Sequence, residues 1–406
     1  MRTITTCRSC HASQLTDILS LGEQHLSDFN HGEKVAKFPL DLVLCENCKL
    51  VQLRHTTPSQ ELYTERYGYR SGINEAIKAD LKEIVQEAIK TVDLKVGDQV
   101  IDIGANDGTL LSNYPEKYFR TAYEPVKKLA TDCLNHANVV VPSFFKYMDT
   151  KAKIITAISC FYDLDDPNEF VGAIKKMLTP DGIFIIQQNY LGGMIKQNAF
   201  DNIVHEHLEF YSLLSLENLL RKHKLEVFRV SENTINGGSF RTFITHIGAR
   251  EIEQSVRDMR VSEELDKLDN KWVYEDFAGR CKDIKKELHS FIKNKVAEGK
   301  TVYLYGASTR GSTLCQYVGL DNKLIKAAVE RNPEKWGLVM ASTGIPIISE
   351  ERARKEKPDY FLVMPWFFRD VFLSREKEYL DNGGSFIFPL PNLEVVSGDK
   401  NANSRT

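Results

Sequence analysis

The segment Gln99-Val-Ile-Asp102-Ile-Gly104-Ala-Asn106-Asp107-Gly108 has the pattern of a buried strand, a glycine-containing turn and a helix that continues through Leu110 and Leu111. Glycine at 104 lets the backbone approach a ligand closely, and a helix N-terminus offers unpaired N–H groups. A dinucleotide turn requires a second glycine, but Asn106 stands in its place. Because Asp102 and Asp107 add negative charge, the turn suits a cationic ligand better than a pyrophosphate.

Strands and helices alternate on both sides of this turn. Apolar residues three and four positions apart predict an amphipathic helix over residues 73–92. Further strands are predicted at residues 119–123, 139–141, 154–159 and 183–188, and a hairpin at 227–230 and 240–246 around Asn236-Gly-Gly-Ser239. Such alternation predicts an α/β fold, with a doubly wound, mainly parallel sheet covered by helices on both faces.

A second α/β pattern follows charged, helical residues 250–298. Its strands are predicted at residues 300–305, 327–330, 360–364 and 385–389. The turn Gly306-Ala-Ser308-Thr-Arg310-Gly311 resembles a dinucleotide turn that lacks the third glycine in register, and Glu330 ends the next strand, where a ribose-binding acid would lie. NAD binding and a purely structural role both remain open for this half.

Four of the eight cysteines form two Cys-x-x-Cys pairs near the N-terminus, Cys7/Cys10 and Cys45/Cys48. Two such knuckles can close a tetrahedron around zinc, and four thiolates leave no open position, so the ion would be structural. His11 and His25 are alternative ligands. The remaining cysteines are scattered singly, which is typical of buried apolar residues.

Composition excludes several classes of protein. The chain has 406 residues, a formal net charge of −3 and 42% hydrophobic residues, so two or three globular domains are expected. The charge argues against a nucleic-acid partner, and no apolar run is long enough to cross a membrane. The N-terminus has no apolar signal core, so we expect a cytoplasmic protein.

Glu124 indicates that the ligand of the turn carries a ribose. It follows the strand at 119–123 in Tyr123-Glu124-Pro125, where a carboxylate can accept both ribose hydroxyls. Together with the turn at 102–108, this pattern resembles the class I methyltransferases. The resemblance implies S-adenosylmethionine as cofactor, bound by the residues Asp102, Gly104, Asn106, Asp107, Gly108 and Glu124.

A third motif, His205-Glu206-His207 with Tyr211 downstream, suggests a general base and its orienting partners. The two histidines are two positions apart, which does not match the spacing of a His-Glu-x-x-His zinc site. A polar loop with incidental histidines is the alternative.

The motifs together resemble the sugar-nucleotide C-methyltransferases of deoxysugar biosynthesis over essentially the whole chain. The resemblance rests on the cysteine pairs, the methyltransferase turn, His-Glu-His-x-x-x-Tyr-Ser, Asn236-Gly-Gly-Ser-x-Arg241 and Tyr305-Gly-Ala-Ser-x-Arg-Gly311. It implies C-3′ methylation of a thymidine-diphosphate-linked 4-keto deoxyhexose, with His207 as base and Glu206 and Tyr69 as further catalytic residues. Two positions depart from the family pattern: Val204 before the triplet, and Cys160-Phe-Tyr-Asp-Leu-Asp165 where an active-site histidine is expected.

We therefore expect a zinc-binding module at residues 1–70, a methyltransferase domain at 71–255, a Rossmann-like domain at 256–396 that helps to bind the sugar nucleotide, and a tail at 397–406. We expect the protein to be a monomer. Three alternatives remain: methylation at another sugar carbon, an NAD-dependent sugar-nucleotide oxidoreductase, and a zinc-ribbon interaction protein without turnover.

Overall fold

The computed structural model describes residues 1–62 and 68–398. The chain divides into two compact units, each built from separate stretches. Unit 1 consists of Met1–Asp17, Leu42–Gly192 and Glu206–Asn270, and unit 2 of Ile18–Asp41, Gly193–His205 and the chain from Lys271 onward. The boundaries at 70, 255 and 396 stay predictions, and of the predicted tail only 397–398 lie within the described residues.

Unit 1 is built on a seven-stranded sheet, and the predicted doubly wound α/β fold is confirmed. Its strands are β7 (Gln99–Ile103), β8 (Phe119–Tyr123), β9 (Val139–Val141), β10 (Ala152–Ile158), β11 (Leu178–Asn189), β13 (Leu225–Asn233) and β14 (Ser239–His246). They lie in the order β13-β14-β11-β10-β7-β8-β9, and all run in the same direction except β14, which is antiparallel to both of its neighbours. Its helices are α2 (Glu75–Thr91), α3 (Lys127–Cys133), α4 (Pro167–Met177), α6 (Leu213–Lys222) and α7 (Gln254–Leu265).

Helix α2 packs its apolar face on this sheet, as its periodicity predicted. Asn74 begins the helix, because its side-chain oxygen accepts the Ala76 N–H. Leu81, Ile84 and Val85 are buried in one cluster with residues of the sheet strands. This packing fixes α2, and with it Asp80, against the sheet.

The turn after β7 does not open the α-helix through Leu110 and Leu111 that the sequence predicted. A 3-10 helix at Leu111–Asn113 takes its place. The side chains of Ser112 and Asn113 both donate to the Thr109 carbonyl, and Pro115 has no N–H to continue a helix. The predicted helix N-terminus is therefore wrong, and the N–H groups of Gly104, Ala105 and Asn106 donate to Tyr123 and Glu124.

The first sixty residues contain more regular structure than the predicted knuckles alone. The elements are β1 (Arg2–Thr3), β2 (Leu15–His25), β3 (Phe29–Asn30), β4 (Lys37–Cys45), β5 (Val51–Leu53), β6 (His55–Thr56) and the short helix α1 (Ser59–Leu62). β1 pairs with β6, and β12 (Glu209–Phe210), β5, β4 and β2 form a second sheet in that order. The unit boundaries fall within β2 and β4, so both strands contribute residues to each unit.

Unit 2 is built on a mixed sheet that confirms the second α/β pattern. Its strands are β15 (Val302–Tyr305), β16 (Ala328–Glu330), β17 (Val339–Met340), β18 (Ile345–Ser349), β19 (Tyr360–Val363), β20 (Ser385–Phe388) and β21 (Glu394–Ser397). With β3 they lie in the order β21-β20-β19-β15-β16-β18-β17-β3. Its helices are α5 (Leu191–Lys196), α8 (Lys271–Ala297), α9 (Thr309–Val318), α10 (Glu350–Glu356), α11 (Arg369–Arg375) and α12 (Lys377–Asp381), and α5 begins in unit 1.

Among the residues described, the structure has no helix with the length and apolar character that a bilayer crossing requires.

Candidate active site

A cavity of about 340 Å³ opens in unit 1 beside the carboxyl ends of β7, β8 and β10. Its lining includes Tyr69, Asp80, Asp102, Gly104, Asn106, Glu124, Cys160 and Gln187. The carboxyl edge of a parallel sheet is where doubly wound folds bind their ligands. Four of the six predicted cofactor residues, and Tyr69, thus lie around this first cavity.

Gly104 makes the turn that forms the floor of the first cavity. Its φ of +69° is unfavourable for any residue with a side chain. A Cβ atom there would come within 3.0 Å of Cys160 Sγ. The Gly104 and Ala105 N–H groups both donate to the Tyr123 carbonyl, which ties the turn to the end of β8.

Glu124 is fixed before any cofactor binds. Its Oε2 accepts the Asn106 N–H at 2.9 Å and its Oε1 accepts the Val126 N–H at 2.8 Å. Burial raises the pKa of Glu124 above its ordinary value. Each carboxylate oxygen has a second lone pair, so Glu124 can still accept hydrogen bonds from two ribose hydroxyls.

The other predicted cofactor residues mainly shape the turn. Asp102 is buried, its Oδ1 accepts the Thr156 hydroxyl at 2.6 Å, and burial raises its pKa to about 7. Asn106 Oδ1 accepts the Ser71 N–H at 2.9 Å, and Asp107 Oδ2 accepts the Gly72 N–H at 2.8 Å. Asp107 and Gly108 are not among the residues that line the first cavity.

Sequence reasoning missed a buried ionic network at the side of this cavity. Arg241 donates to Asp80 Oδ1 and to Gln187 Oε1, both at 2.8 Å, and also contacts Glu87. Gln187 Nε2 donates to Asp80 Oδ2 at 2.5 Å. One signal was present: Asp80 interrupts the apolar face of α2, a position that buries a charge only when a partner is available.

A second cavity of about 280 Å³, also in unit 1, includes Glu206 in its lining. It shares Ser59, Asp163 and Asp165 with the first cavity. Burial raises the pKa of Glu206 to about 7. His207 is not among the lining residues of either cavity, and its ring lies 4.3 Å from the Tyr162 ring, centroid to centroid.

His205 differs from His207 in its surroundings. It is 4% exposed, and its Nε2 lies 3.0 Å from the Phe38 carbonyl oxygen. Burial lowers the pKa of His205 to about 4, so the ring is neutral at physiological pH. These features are typical of a buried histidine with a structural role.

The four predicted zinc ligands come together in unit 1. The Sγ atoms of Cys7, Cys10, Cys45 and Cys48 all lie within 4.8 Å of one another, and none of them is in a disulfide. Four sulfurs at the usual Zn–S distance would be ~3.8 Å apart in a tetrahedron, so the group fits a closed zinc site. Within the described residues the cluster includes neither His11 nor His25.

Side chains of α4 and α6 bind the backbone of the knuckles. Asn168 donates to the carbonyls of Arg8 and Ser9, and Lys222 donates to the Ser9 carbonyl at 2.7 Å. Asn218 donates to the Cys48 carbonyl at 3.2 Å. The zinc site is thus part of the packed methyltransferase unit.

The glycine turn of unit 2 makes its contacts within the unit. Glu330 Oε2 accepts the Ala307 N–H at 3.3 Å, and Lys335 Nζ donates to the Ala307 carbonyl at 2.8 Å. Arg310 makes a two-pronged ion pair with Asp201, which Trp366 Nε1 also contacts at 3.0 Å. The acid and the arginine of this motif therefore bind residues of the unit itself, and this gives no support to NAD binding.

Family models match three consecutive parts of the chain. A "Putative zinc binding domain" matches residues 7–63, a "Methyltransferase domain" residues 73–230 and a "C-methyltransferase C-terminal domain" residues 234–391. The curated "C-methyltransferase NovU" of Streptomyces niveus is 30% identical over 416 residues, which cover 98% of each protein. The chain belongs to the C-methyltransferase family. This confirms the family resemblance that the sequence indicated. The two other protein classes, an oxidoreductase and a non-enzymatic zinc protein, are rejected.

Solved structures similar to this C-methyltransferase match only part of it. An S-adenosylmethionine-dependent methyltransferase from Clostridium acetobutylicum is 12% identical, with a TM-score of 0.35 over 44% of this chain and 94% of its own. One from Aquifex aeolicus is 18% identical, with a TM-score of 0.31 over 41% of this chain and 88% of its own. These values are too low to support any statement about the site.

The cofactors of this C-methyltransferase are S-adenosylmethionine and a structural zinc ion, as the sequence predicted. The cysteine cluster fits the zinc ion. The first cavity, with the Gly104 turn and the carboxyl group of Glu124, fits a nucleoside that carries a cationic centre.

Proposed function

We propose that this C-methyltransferase methylates a nucleotide-linked 4-keto deoxyhexose at C-3′, with thymidine diphosphate as the carrier. The supporting observation is that the first cavity, which suits the cofactor, shares three wall residues with the polar second cavity. Thr56, Thr57 and Glu206 in the second cavity offer hydroxyl and carboxyl groups to a hydroxylated acceptor. The 4-keto group and the C-3′ position come from the family resemblance.

On this proposal, the residues of the first cavity bind the cofactor, which supplies an electrophilic methyl group on sulfur. Glu124 accepts the ribose hydroxyls, and the turn at Gly104 allows the backbone to approach the nucleoside. Asp102 and Asn106 hold that turn in place. The chain therefore contributes orientation and exclusion of water, which together account for much of the acceleration in such transfers.

A base must remove the proton next to the ketone before carbon can accept a methyl group. We assign this role to His207, because an imidazole titrates near neutral pH and His205 is buried against the Phe38 carbonyl. Glu206, which lines the second cavity, orients the ring or stabilises its charge. Tyr69, in the wall of the first cavity, can donate a hydrogen bond to the developing enolate oxygen.

The substrate assignment is tested by mass spectrometry. The protein is incubated with S-adenosylmethionine and a panel of 4-keto sugar nucleotides that differ in base and in deoxygenation. A product heavier by one methylene unit is expected for the thymidine-diphosphate 4-keto-6-deoxyhexose, and carbon NMR then gives the methylated position. Methylation at another carbon would keep the enzyme class and change the acceptor geometry, whereas no methylated product from any member would refute the proposal.

The assignment of the base is tested with His207→Ala. Loss of the base should abolish both solvent deuterium exchange at the α-carbon and methyl transfer, while binding of S-adenosylmethionine by calorimetry should persist. His31→Ala, at an exposed position of unit 2, serves as the control and should behave like the wild type. Exchange at the wild-type rate in His207→Ala would show that another group removes the proton.

A further inference from the structure

A series of hydrogen bonds in unit 1 connects the first cysteine knuckle to the wall between the two cavities. Gln52 Nε2 donates to Cys7 Sγ at 3.1 Å, and Gln52 Oε1 accepts the Arg8 backbone N–H at 3.1 Å. Arg8 Nε donates to Asp165 Oδ1 at 3.2 Å. Gln52 and Arg8 are buried, whereas Asp165 lines both cavities.

The guanidinium group of Arg8 is held on every side. Its Nη1 donates to the Leu53 carbonyl at 2.6 Å, and its Nη2 donates to Thr56 Oγ1 at 2.8 Å. The Thr56 hydroxyl in turn donates to Asp165 Oδ1 at 2.8 Å. Because a guanidinium is planar and its donors point in fixed directions, these contacts fix Oδ1 of Asp165, and Arg2 pairs with the other oxygen, Oδ2.

Asp165 is ionised at neutral pH in this environment. Burial acts to raise its pKa, but the Thr56 hydrogen bond and the charges of Arg8 and Arg2 hold the pKa below its ordinary value. Its side chain is also about 40% exposed, so the carboxylate can be reached from the cavities. It is therefore a fixed anionic acceptor of hydrogen bonds at the junction of the two cavities.

We propose that Arg8 is a positioning residue, which links the geometry of the zinc knuckle to Asp165, and that the Asp165 carboxylate binds a hydroxyl or ammonium group of the acceptor. The zinc site would then shape the acceptor end of the active site as well as stabilise the N-terminal strands. The role of Asp165 in acceptor binding rests on the proposed function, whereas the link between Asp165 and the zinc site does not.

The experiment compares Asp165→Asn and Arg8→Lys with a control, Asp17→Asn. Asp17 makes an ion pair with Arg54 at 2.6 Å and is not among the lining residues of either cavity. Three quantities are measured: the rate of zinc transfer to excess chromophoric chelator, the Kd of S-adenosylhomocysteine by calorimetry, and KM and kcat for the acceptor. Arg8→Lys keeps the positive charge but loses the several fixed donors of the guanidinium group. Asp165→Asn changes a half-exposed side chain, so we expect this variant to fold.

Both variants should release zinc several-fold faster than the wild type and raise the KM of the acceptor about tenfold, the loss expected for one charge-assisted hydrogen bond. The kcat and the Kd of S-adenosylhomocysteine should change by less than about twofold, and Asp17→Asn should match the wild type in every measurement. Wild-type zinc release in Asp165→Asn would overturn the link, and an unchanged KM would overturn the acceptor contact. If the wild type methylates no 4-keto sugar nucleotide, the proposed function fails, and zinc release alone still decides the link.

Discussion

At the scale of single residues, Glu124 shows how a binding group can be fixed before its ligand arrives. Both of its oxygens accept backbone N–H groups, from Asn106 and Val126. An amide at this position would have to turn its NH₂ group towards one of those two donors. Replacement by glutamine therefore removes a charge and also loosens the turn on which Gly104 lies.

Glu124→Gln should weaken S-adenosylmethionine binding roughly 10- to 100-fold, the loss expected for one or more charged hydrogen bonds. Isothermal calorimetry with the wild type and the variant measures this. Glu116→Gln, at an exposed position after the same turn, is the matched control and should bind normally. Equal affinity in all three proteins would remove Glu124 from the cofactor site.

Glu209 makes stability depend on pH. It is 1% exposed, Tyr211 donates to its Oε2 at 2.9 Å, and burial raises its pKa to about 8 from an ordinary value of 4.5. The folded protein thus keeps a proton that the unfolded chain releases, so this group's contribution to stability is full below about pH 4.5 and is lost as the pH rises towards 8.

In Glu209→Gln, the free energy of unfolding should fall less steeply with pH than in the wild type. Between about pH 6 and pH 7.5 the slopes should differ by at most about 1.4 kcal/mol per pH unit, the value for one proton. Urea denaturation of both proteins at several pH values gives the slopes. Parallel curves would mean that Glu209 is ionised in the folded state.

At the scale of elements, the apolar periodicity of the sequence predicted the helices and strands whose formation depends on nearby residues. The apolar spacing of Ile77, Leu81 and Ile84 predicted α2, and the strands at 119–123 and 139–141 have the predicted bounds. The helix after Gly108 was wrong because side chains of Ser112 and Asn113 compete for a backbone carbonyl, which periodicity does not reveal. Periodicity also does not reveal contacts between residues that are distant in sequence.

For the candidate site, the sequence predicted the cysteine cluster, the Gly104 turn and the place of Glu124 at the cavity. It did not predict the pairing of Arg241 with Asp80 or of Arg310 with Asp201, because each joins residues more than a hundred positions apart. Charged residues inside apolar patterns are the only local trace of such pairs.

The Arg310–Asp201 pair ties α9 to the 3-10 helix at Phe200–Asn202. Asp201 is almost completely buried, so its removal leaves the positive charge of Arg310 inside unit 2 without this carboxylate. Asp201→Ala should lower the free energy of unfolding by about 3–5 kcal/mol. Chemical denaturation followed by circular dichroism measures the change, and Arg352→Gln, which breaks the exposed pair with Glu356, should cost less than about 0.5 kcal/mol.

At the scale of the whole molecule, zinc should be required for the folding of unit 1. Elemental analysis should find one zinc ion per chain, and Cys45→Ser should lose it together with cooperative unfolding, because the knuckle backbone is bound by α4 and α6. Cys315→Ser, a buried cysteine of unit 2, should retain zinc. Zinc-free protein with an unchanged melting temperature would contradict this prediction.

The pairing of β3 with β17 has a consequence for synthesis on the ribosome. Residues 29–30 need residues 339–340 as their strand partner. At typical elongation rates of ~5–20 residues per second, the ribosome takes on the order of 15–60 s to reach that partner after it has made β3. No single cut in the polypeptide separates the two units either, because each is assembled from several stretches. An exchange of C-terminal cassettes between relatives would therefore have to carry residues 18–41 and 193–205 along with the cassette.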